Sequence, residues 1–297
     1  MLHESCFNEY KKIFKRVRGL YVPRYWTIVY NNIFDIDEVV FSKLSEKEKR
    51  FFLGEKQFVS KGSYCPTTQQ CFMAFLQIDV SVIDTKLKYC ISIKIYNFEK
   101  DLDEYSNEKC LYSEVKKTDN SKKALLIASN MMKAFLHSEY SVMNYRKDIL
   151  EFSPIYELDV PSLWYIYKNA MFDIVDAYKQ MNKEERENLD YIMGYINDEL
   201  FVANSLPSLE YENIFALTYI DCHEEKGHLK YWITLAIWHH VLEDNHKNNF
   251  YSEGDKTYME ESHSTDNPHD ALRISSDFMR KFSDKEFDFM NERDNEK

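Results

Sequence analysis

FLQIDVSVIDTKLKYCISIKIYNF, residues 75–98, indicates the fold of the N-terminal part of the chain. Apolar and polar side chains alternate there with a period of two, which is typical of strands that bury one face. Asp84, Thr85 and Lys86 interrupt the alternation and favour a turn. The stretch therefore predicts a β-hairpin that spans about 75–98.

Segments before this hairpin predict one strand and two helices. Residues 5–18 place apolar side chains at three- and four-residue steps between basic ones, which is typical of an amphipathic helix ending at Gly19. RYWTIVY at 24–30 favours a strand because it is rich in aromatic and β-branched residues. Ser45 and Glu48 have the spacing of a capping box and predict a short helix.

The region 119–206 is predicted to be mostly helical. Ser121, Ser162 and Asn182 are each followed by apolar residues at helical spacing, and both residue types are favoured N-caps. The third of these helices is expected to end before Pro207. The polar stretch KKTDNSKK is the predicted boundary between the N-terminal part and this helical part.

Residues 209–242 fit two kinds of secondary structure. The segment YWITLAIW favours a strand, with EEKG as a hairpin turn, but its apolar residues also fit one face of a helix. We prefer the hairpin. From 243 to Pro268 the chain is polar and predicted to be loop, and DALRISSDFMRKF then predicts a last helix before an acidic end. No internal repeat is expected.

These patterns together predict an α+β fold. Its N-terminal part has a β-hairpin or antiparallel sheet with flanking helices, and a mainly helical part follows. The predicted regions are 1–118, which is α+β; 119–206, which is helical; and 207–297, an aromatic segment (hairpin or helices) with an acidic helical tail.

The net charge of −12 disfavours nucleic-acid binding over a broad face, because phosphate binding requires a basic footprint. The start MLHESCFNEYKK lacks the apolar core of a signal peptide, and no run of eighteen apolar residues predicts a membrane span. The six cysteines include no CxxC pair. We therefore expect a cytoplasmic protein with free thiols.

The spacing of the six glycines excludes several enzyme classes. No two glycines lie within seven residues of each other, so GxGxxG, GxxxxGK[ST] and GxSxG are all absent. Nucleotide-binding folds use such loops because only glycine lets backbone N–H groups crowd a phosphate. The ordinary Rossmann, P-loop and α/β-hydrolase classes are thereby excluded, and no cofactor is predicted.

The histidine-rich region 223–269 contains the strongest candidates for metal ligands. A Glu-x-x-His step on a helix places both side chains on one face, as in di-iron carboxylate bundles. The sequence around these steps is polar and poor in helix formers, so the prediction is that no metal binds. The residues in question are His228, Glu243, His246, Glu260 and His263, together with Glu225.

A cysteine nucleophile is the other catalytic alternative. Cys222 could be activated by His239 or His240 if the fold brought them together. A lone cysteine in an apolar strand usually belongs to the core, however. The prediction is therefore that the chain has no catalytic residue.

Three features favour binding to another protein. The predicted N-terminal helix is basic, the chain contains 22 Tyr and 20 Phe, and its C-terminal end is acidic. Aromatic side chains anchor protein interfaces, and charges steer the partners together. The predicted partner-binding residues are Lys11, Lys12, Lys15, Trp232 and Trp238.

In its acidic charge, its few glycines and its lack of catalytic motifs, the chain resembles phage- or mobile-element-encoded inhibitors of bacterial defence systems. It is similar in size and character to the anti-defence proteins that block the Gabija nuclease–helicase complex. The resemblance concerns the character of the whole chain and carries over no residue. It implies oligomeric binding around a host complex, without chemistry on that complex.

The predicted function is therefore that of a non-enzymatic inhibitor which binds and occludes a host defence complex of the nuclease or ATPase type. Such a protein is expected to be a homo-oligomer in the host cytoplasm, without membrane contact or direct nucleic-acid binding. Two alternatives stay open. One is a metal-dependent hydrolase or oxidase that uses the histidine-rich region, and the other is an acidic mimic of DNA.

Overall fold

In a computed structural model of the chain, most of the secondary structure is antiparallel sheet. The described residues are 14–36, 38–46, 49, 53, 56–64, 71–83, 86–98, 110–137, 139–143, 153–155, 157–205, 214–239, 256–284 and 286. The chain divides into a first unit, Met1–Phe152 with Asp159–Leu163, and a second unit, Ser153–Leu158 with Trp164–Lys297.

In the described part of the chain, the first unit contains seven strands, two α-helices with fully described bounds, and the helical residues Glu46 and Lys49. Strand β1 (Phe14–Arg16) pairs with β3 (Phe34–Ile36). Five strands form an antiparallel sheet in the order β2 (Trp26–Asn31), β4 (Phe58–Tyr64), β5 (Cys71–Ile83), β6 (Lys86–Phe98) and β7 (Cys110–Thr118). Helix α1 (Glu38–Lys43) follows β3, and α2 (Ser121–Leu136) follows β7 and packs on β5, β6 and β7. A 3-10 turn, Ser141–Met143, comes after α2.

The second unit has the same plan. Strand β8 (Ser153–Pro154) pairs with β10 (Phe172–Asp173). Five strands form an antiparallel sheet in the order β9 (Trp164–Asn169), β11 (Asp198–Ser205), β12 (Ile214–Glu225), β13 (His228–His239) and β14 (Lys256–Thr265). Helices α3 (Val175–Gln180) and α4 (Lys183–Met193) precede β11, and α5 (Pro268–Ser283) packs on β12, β13 and β14.

The prediction that a mainly helical part follows the N-terminal part of the chain is wrong, because most of that region is antiparallel sheet. Ser162 does not open a helix, since β9 begins at Trp164 and alternates buried with less buried residues. Its apolar spacing fits a helix and a strand alike, and pairing with β11 decides the outcome. The helix that begins after Asn182 ends at Gly194, whose φ of 51° is left-handed, and β11 follows where the helix was expected to continue.

Two predictions about polar segments also fail. Residues 14–16 of the predicted N-terminal helix form β1, and 5–13 lie outside the described residues. The segment expected to be loop before Pro268 contains β14, which pairs with β13 and is the last strand in the order of the sheet. A strand at an edge needs few apolar residues, so hydrophobic alternation does not reveal it.

Other predicted elements are confirmed. The hairpin of the opening segment extends from Cys71 to Phe98, although residues 84–85 of its turn lie outside the described part. β12 and β13 form the second hairpin that we preferred. The strand near 24–30 and the helices that begin near Ser121, Asn182 and Pro268 are present as well. In the short helix predicted after Ser45, the N–H of Lys49 donates to the carbonyl of Ser45 at 2.9 Å, and Glu48 lies outside the described residues.

The expectation that the chain has no internal repeat is wrong. VPRYWTIVYNNIFDI at 22–36 and VPSLWYIYKNAMFDI at 160–174 are identical at eight of fifteen positions. TDNSKKALLIASNMMKAF at 118–135 and TDNPHDALRISSDFMRKF at 265–282 are identical at nine of eighteen. Each pair of segments occupies the same place in its unit, at the first sheet strand and at the helix after the last strand.

Strand register repeats along with the sequence. Trp26 lies opposite Gly62 on the neighbouring strand, and Trp164 lies opposite Ser205 in the same way. A register shift then follows in both units, at Val29 and at Tyr167. Further shifts follow at equivalent places near the start of β7 and of β14. A shared β-bulge is a positional feature of a fold, so the two units have one architecture.

The last helix of each unit is capped and packed in the same manner. The side chains of Asn120 and Asn267 accept hydrogen bonds from the first turn of α2 and α5. The rings of Trp26 and Phe135 meet edge to face at a centroid distance of 5.5 Å, and those of Trp164 and Phe282 at 5.8 Å.

One face of each sheet is covered by its last helix, and the residues that alternate with the buried ones form the opposite face. We call these the first open face and the second open face. The central positions of the first are Lys61, Phe75, Gln77, Ser92, Lys94 and Val115. The equivalent positions of the second are Asn204, Leu217, Tyr219, Thr234, Ala236 and Ser262, of which Thr234 and Ala236 are buried.

Candidate functional site

Comparison of the two units distinguishes residues that maintain the fold from residues that do not. A side chain that recurs with the same contacts in both units is explained by folding. A side chain found in one unit alone is a better candidate for function, because the shared architecture does not require it.

An aspartate and a tyrosine are shared in this sense. The hydroxyl of Ser121 donates to Asp35 at 3.0 Å, and the equivalent Asp173 lies 3.3 Å from Nε2 of His269, so each aspartate contacts the first turn of the last helix. In the first unit the hydroxyl of Tyr89 donates to the carbonyl of Phe34. In the second, the hydroxyl of the equivalent Tyr231 lies 3.0 Å from that of Tyr195, which donates to the carbonyl of Phe172, so the shared tyrosine reaches this carbonyl through a second hydroxyl. These polar groups fix the helix and the strand relative to each other within one unit.

His269 lies between two carboxylates. Its Nδ1 lies 2.8 Å from Glu157, and its Nε2 lies 3.3 Å from Asp173. Burial alone would lower the pKa of His269, but hydrogen bonds and charges from Glu157 and Asp173 outweigh it and raise the pKa. Because the two carboxylates contact opposite ring nitrogens, they cannot chelate one ion together with the histidine.

The predicted metal candidates do not converge in the part of the chain that the structure describes. His228 lies opposite Glu225 at the end of the second hairpin, whereas His263 lies opposite Ile233, five residues along β13. Glu260 and His263 are three apart on a strand, so they point to opposite faces. Glu243 and His246 lie outside the described residues. Among those described, no group of three or more potential ligands could hold a metal ion.

The cysteine nucleophile considered as an alternative is not assembled from the described residues. Cys222 is fully buried, and burial, with smaller contributions from Asp190 and Asp221, raises the pKa of its thiol to about 12. In the hairpin, His239 lies opposite Ile214, eight residues or about 26 Å from Cys222 along the strand. His240 lies outside the described residues.

The expectation of free thiols needs a correction. Cys90, Cys110 and Cys222 are free, whereas Cys71 is disulfide-bonded.

A cluster found in the second unit alone fixes the end of its hairpin. The hydroxyl of Tyr178 donates to Glu224, and Arg186 lies 3.8 Å from the same carboxylate. The guanidinium of Arg186 also lies 4.6 Å from the centroid of the Tyr178 ring. Burial and the neighbouring Glu224 raise the pKa of Tyr178, so it stays a hydrogen-bond donor. The cluster connects α3, α4 and β12.

The predicted partner-binding residues fall into two groups. Lys11 and Lys12 lie outside the described residues, and Lys15 is in β1, where its backbone faces Asp35 of β3. Trp232 and Trp238 both belong to the second open face.

The second open face is rich in aromatic side chains. Trp232 is 38% exposed, and Nζ of Lys230 lies 5.9 Å from its ring centroid. Sequence reasoning missed the other aromatic residues of this face, because their shared side is visible only once the register of β9, β11 and β12 is known. They are Tyr165, Phe215 and Tyr219.

The first open face has fewer aromatic residues and more lysines. Phe75 and Tyr96, at the positions of Leu217 and Trp238, make an edge-to-face contact at 5.7 Å, and Lys61 and Lys94 lie opposite Phe75. Sequence reasoning did not identify this face, since its lysines are distributed over three strands and form no run along the chain.

No protein family, curated protein or solved structure matches the chain. Every helix in the described part of the chain is too short or too polar to span a bilayer.

Proposed function

We propose that the protein is a non-enzymatic inhibitor that binds another protein through the second open face. The observation that supports this proposal is the difference between the two open faces. Four positions of the second face carry large aromatic rings where the first unit has smaller or non-aromatic side chains. They are Tyr165, Phe215, Tyr219 and Trp232, at the positions of Thr27, Met73, Gln77 and Cys90.

Folding does not account for these rings, because the first unit forms the same sheet without them. Tyrosine and tryptophan at a surface offer a large apolar area together with a polar group, and they are enriched among the residues that dominate binding energy. An aromatic surface on one face of a sheet therefore suits the centre of a protein interface.

The exposure of this face varies along β13. The two tryptophans at 232 and 238 are separated on this face by Thr234 and Ala236. Thr234 and Ala236 are each only 6% exposed, whereas Trp232 is 38% exposed, so the ring of Trp232 is the part of this stretch that a partner can reach most readily. Six residues along a strand place the tryptophans roughly 20 Å apart.

The kind of partner comes from the resemblance to anti-defence proteins. We propose a host defence complex of the nuclease or ATPase type, bound by an oligomer of this chain and occluded without chemical change. The second open face carries more acids than lysines, which fits a partner that has a basic, nucleic-acid-binding surface.

The test uses the purified full-length protein and a purified Gabija nuclease–helicase complex. Complex formation is followed by size-exclusion chromatography, and inhibition by cleavage of a DNA substrate. The decisive variant is Tyr219→Gln with Trp232→Ser, where glutamine is the residue that the first unit has at the position of Tyr219. The control variant, Val39→Ala with Leu126→Ala, removes exposed apolar side chains elsewhere.

The proposal predicts stoichiometric inhibition by the wild-type protein and the control. The double variant is expected to bind at least about 100-fold more weakly, because each central aromatic residue contributes about 2 kcal/mol or more. A wild-type protein that neither binds nor inhibits the complex would contradict the choice of partner. Equal inhibition by the double variant would contradict the choice of surface.

A further inference from the structure

The first open face is basic although the chain is acidic. On β4 to β7 this face carries five lysines and one acid, namely Lys61, Lys86, Lys88, Lys94, Lys117 and Asp79. The second open face carries two lysines and four acids, namely Lys168, Lys230, Glu199, Asp221, Glu225 and Glu260. The two faces of one repeated architecture have therefore acquired opposite charge.

An aromatic ring lies between two of these lysines. Lys61 of β4 and Lys94 of β6 are both directly opposite Phe75 of β5. Nζ of Lys61 lies 5.7 Å from the centroid of the Phe75 ring, which is a cation–π distance. Since neighbouring strands are about 4.8 Å apart, the two lysine backbones are roughly 10 Å apart, with the ring between them.

Most of this positive charge is not neutralised within the sheet. Lys88 pairs with Asp119 at 3.4 Å. Within the described ranges, no carboxylate lies within ion-pair distance of Lys61, Lys94 or Lys117. Lysines on one face that have no carboxylate partner among the described residues repel one another, so a bound anion would stabilise the fold.

The second unit shows that folding does not require these residues. The equivalents of Lys61, Phe75 and Lys94 are Asn204, Leu217 and Ala236, and the equivalent of Lys117 is Ser264. Neutral residues at all of these positions are compatible with the same register and the same covering helix.

We propose that the first open face binds single-stranded nucleic acid, with phosphates on the lysines and a base stacked against Phe75. Proteins that bind single strands combine a basic surface with aromatic side chains in this way. A duplex hides its bases, and an acidic protein surface would use the lysines but not the ring between them. The net charge of the chain has little influence at this range, because physiological salt screens charges beyond about 8 Å.

The test measures the binding of a fluorescent 20-nucleotide oligothymidylate to the full-length protein by anisotropy, at 50 and 200 mM salt. The decisive variant is Lys61→Asn, Lys94→Ala and Lys117→Ser, which introduces the residues of the second unit. Phe75→Leu tests the ring in the same way. The control is Lys116→Gln, Lys122→Gln and Lys123→Gln, which changes the net charge equally at exposed positions outside the first open face.

We expect the decisive variant to bind about 10- to 100-fold more weakly than wild type. The logarithmic salt slope should fall from about −3 for four phosphate contacts to about −1, since each contact on a single strand contributes roughly −0.7. Phe75→Leu should weaken binding about fivefold or more without changing the slope, because stacking on one ring is worth about 1–3 kcal/mol. The control should stay within about twofold of wild type.

Several results would overturn the proposal. One is the absence of saturable oligothymidylate binding by the wild-type protein at 50 mM salt. Another is equal weakening in the decisive variant and the control, which would indicate net charge alone. Unchanged oligothymidylate binding by Phe75→Leu would contradict the stacking of a base on this ring. Binding to polyglutamate but not to the oligonucleotide would indicate an acidic protein ligand instead. Thermal melts monitored by circular dichroism show whether each variant is folded. If the triple variant does not fold, oligothymidylate binding by Phe75→Leu still tests the proposal.

Discussion

The two units of this chain share their packing and differ in the faces that the packing leaves open. A tryptophan on the first sheet strand, a bulge after it and an asparagine-capped helix at the end recur in both. The open faces agree at few positions, one being lysine-rich and the other aromatic. Where two copies of one fold agree, packing explains the residue; where they differ, binding is the better explanation.

The largest expected effect is on the shared tryptophans. Trp26 and Trp164 are both fully buried, so Trp26→Ala and Trp164→Ala should each lower the free energy of unfolding by about 3–5 kcal/mol. Urea titrations monitored by circular dichroism measure both. Trp164→Phe should lower the free energy of unfolding by about 1 kcal/mol more than Trp26→Phe. Nε1 of Trp164 donates to Ser283 at 3.0 Å, whereas Nε1 of Trp26 has no partner among the described residues. Equal losses of unfolding free energy in the two Phe variants would contradict the predicted difference between Trp26 and Trp164.

A second test exchanges the residues opposite these tryptophans. A Cβ on Gly62 would lie 2.5 Å from the Trp26 ring, so Gly62→Ser should destabilise the protein by about 1–3 kcal/mol, although serine is native at the equivalent position 205. The reverse change, Ser205→Gly, removes the hydrogen bond from the N–H of Ala216 and should cost about 1 kcal/mol. Thermal melts of both variants check the order of these effects, which a neutral Gly62→Ser would contradict.

Helix capping should respond alike in the two units. Asn120→Ala and Asn267→Ala each remove a side-chain acceptor at the start of the last helix, and each should cost about 1 kcal/mol. Chemical denaturation of the two variants and of the double variant shows whether the losses are similar and additive. A clear loss in one unit and none in the other would mean that the repeated sequence does not have a repeated role.

The smallest effect concerns a position where the units differ. The pKa of His269 is raised when the protein is folded, so its contribution to stability is full below the unfolded pKa of about 6.5 and is lost as pH rises through the folded value. Because His269 is partly exposed, the contribution should be below about 1 kcal/mol. Melting temperature should therefore fall slightly with rising pH near neutrality. His269→Lys, which copies the residue of the first unit, should remove that dependence, and a variant with the wild-type profile would contradict this.

The local pattern of apolar and polar residues predicted the elements that have one clearly buried face. Both hairpins and the helices beginning near Ser121, Asn182 and Pro268 were predictable because their apolar period is visible within a dozen residues. β9 was not, since its few apolar residues fit either period, and β14 was not, since an edge strand is largely polar.

The repeat and the open faces needed the register of distant strands. Equivalent residues are 138 apart at the tryptophans (164 − 26), 142 at Tyr89 and Tyr231 (231 − 89), and 147 at the helix caps (267 − 120). Loops of unequal length thus hide the period. Lys61, Phe75 and Lys94 meet only because three strands pair in one register, which no local pattern specifies.

The central claim is that the second unit repeats the architecture of the first, and residue-resolved hydrogen exchange tests it most directly. β14 is the sharpest case, because its polar sequence alone gives no reason for a strand. If the claim holds, amides at 256–265 that pair with β13 are protected in the same pattern as those at 110–118 that pair with β6, at a spacing of 147 residues. Exchange at 256–265 at the rate of an unstructured peptide, with protection retained at 110–118, would contradict it.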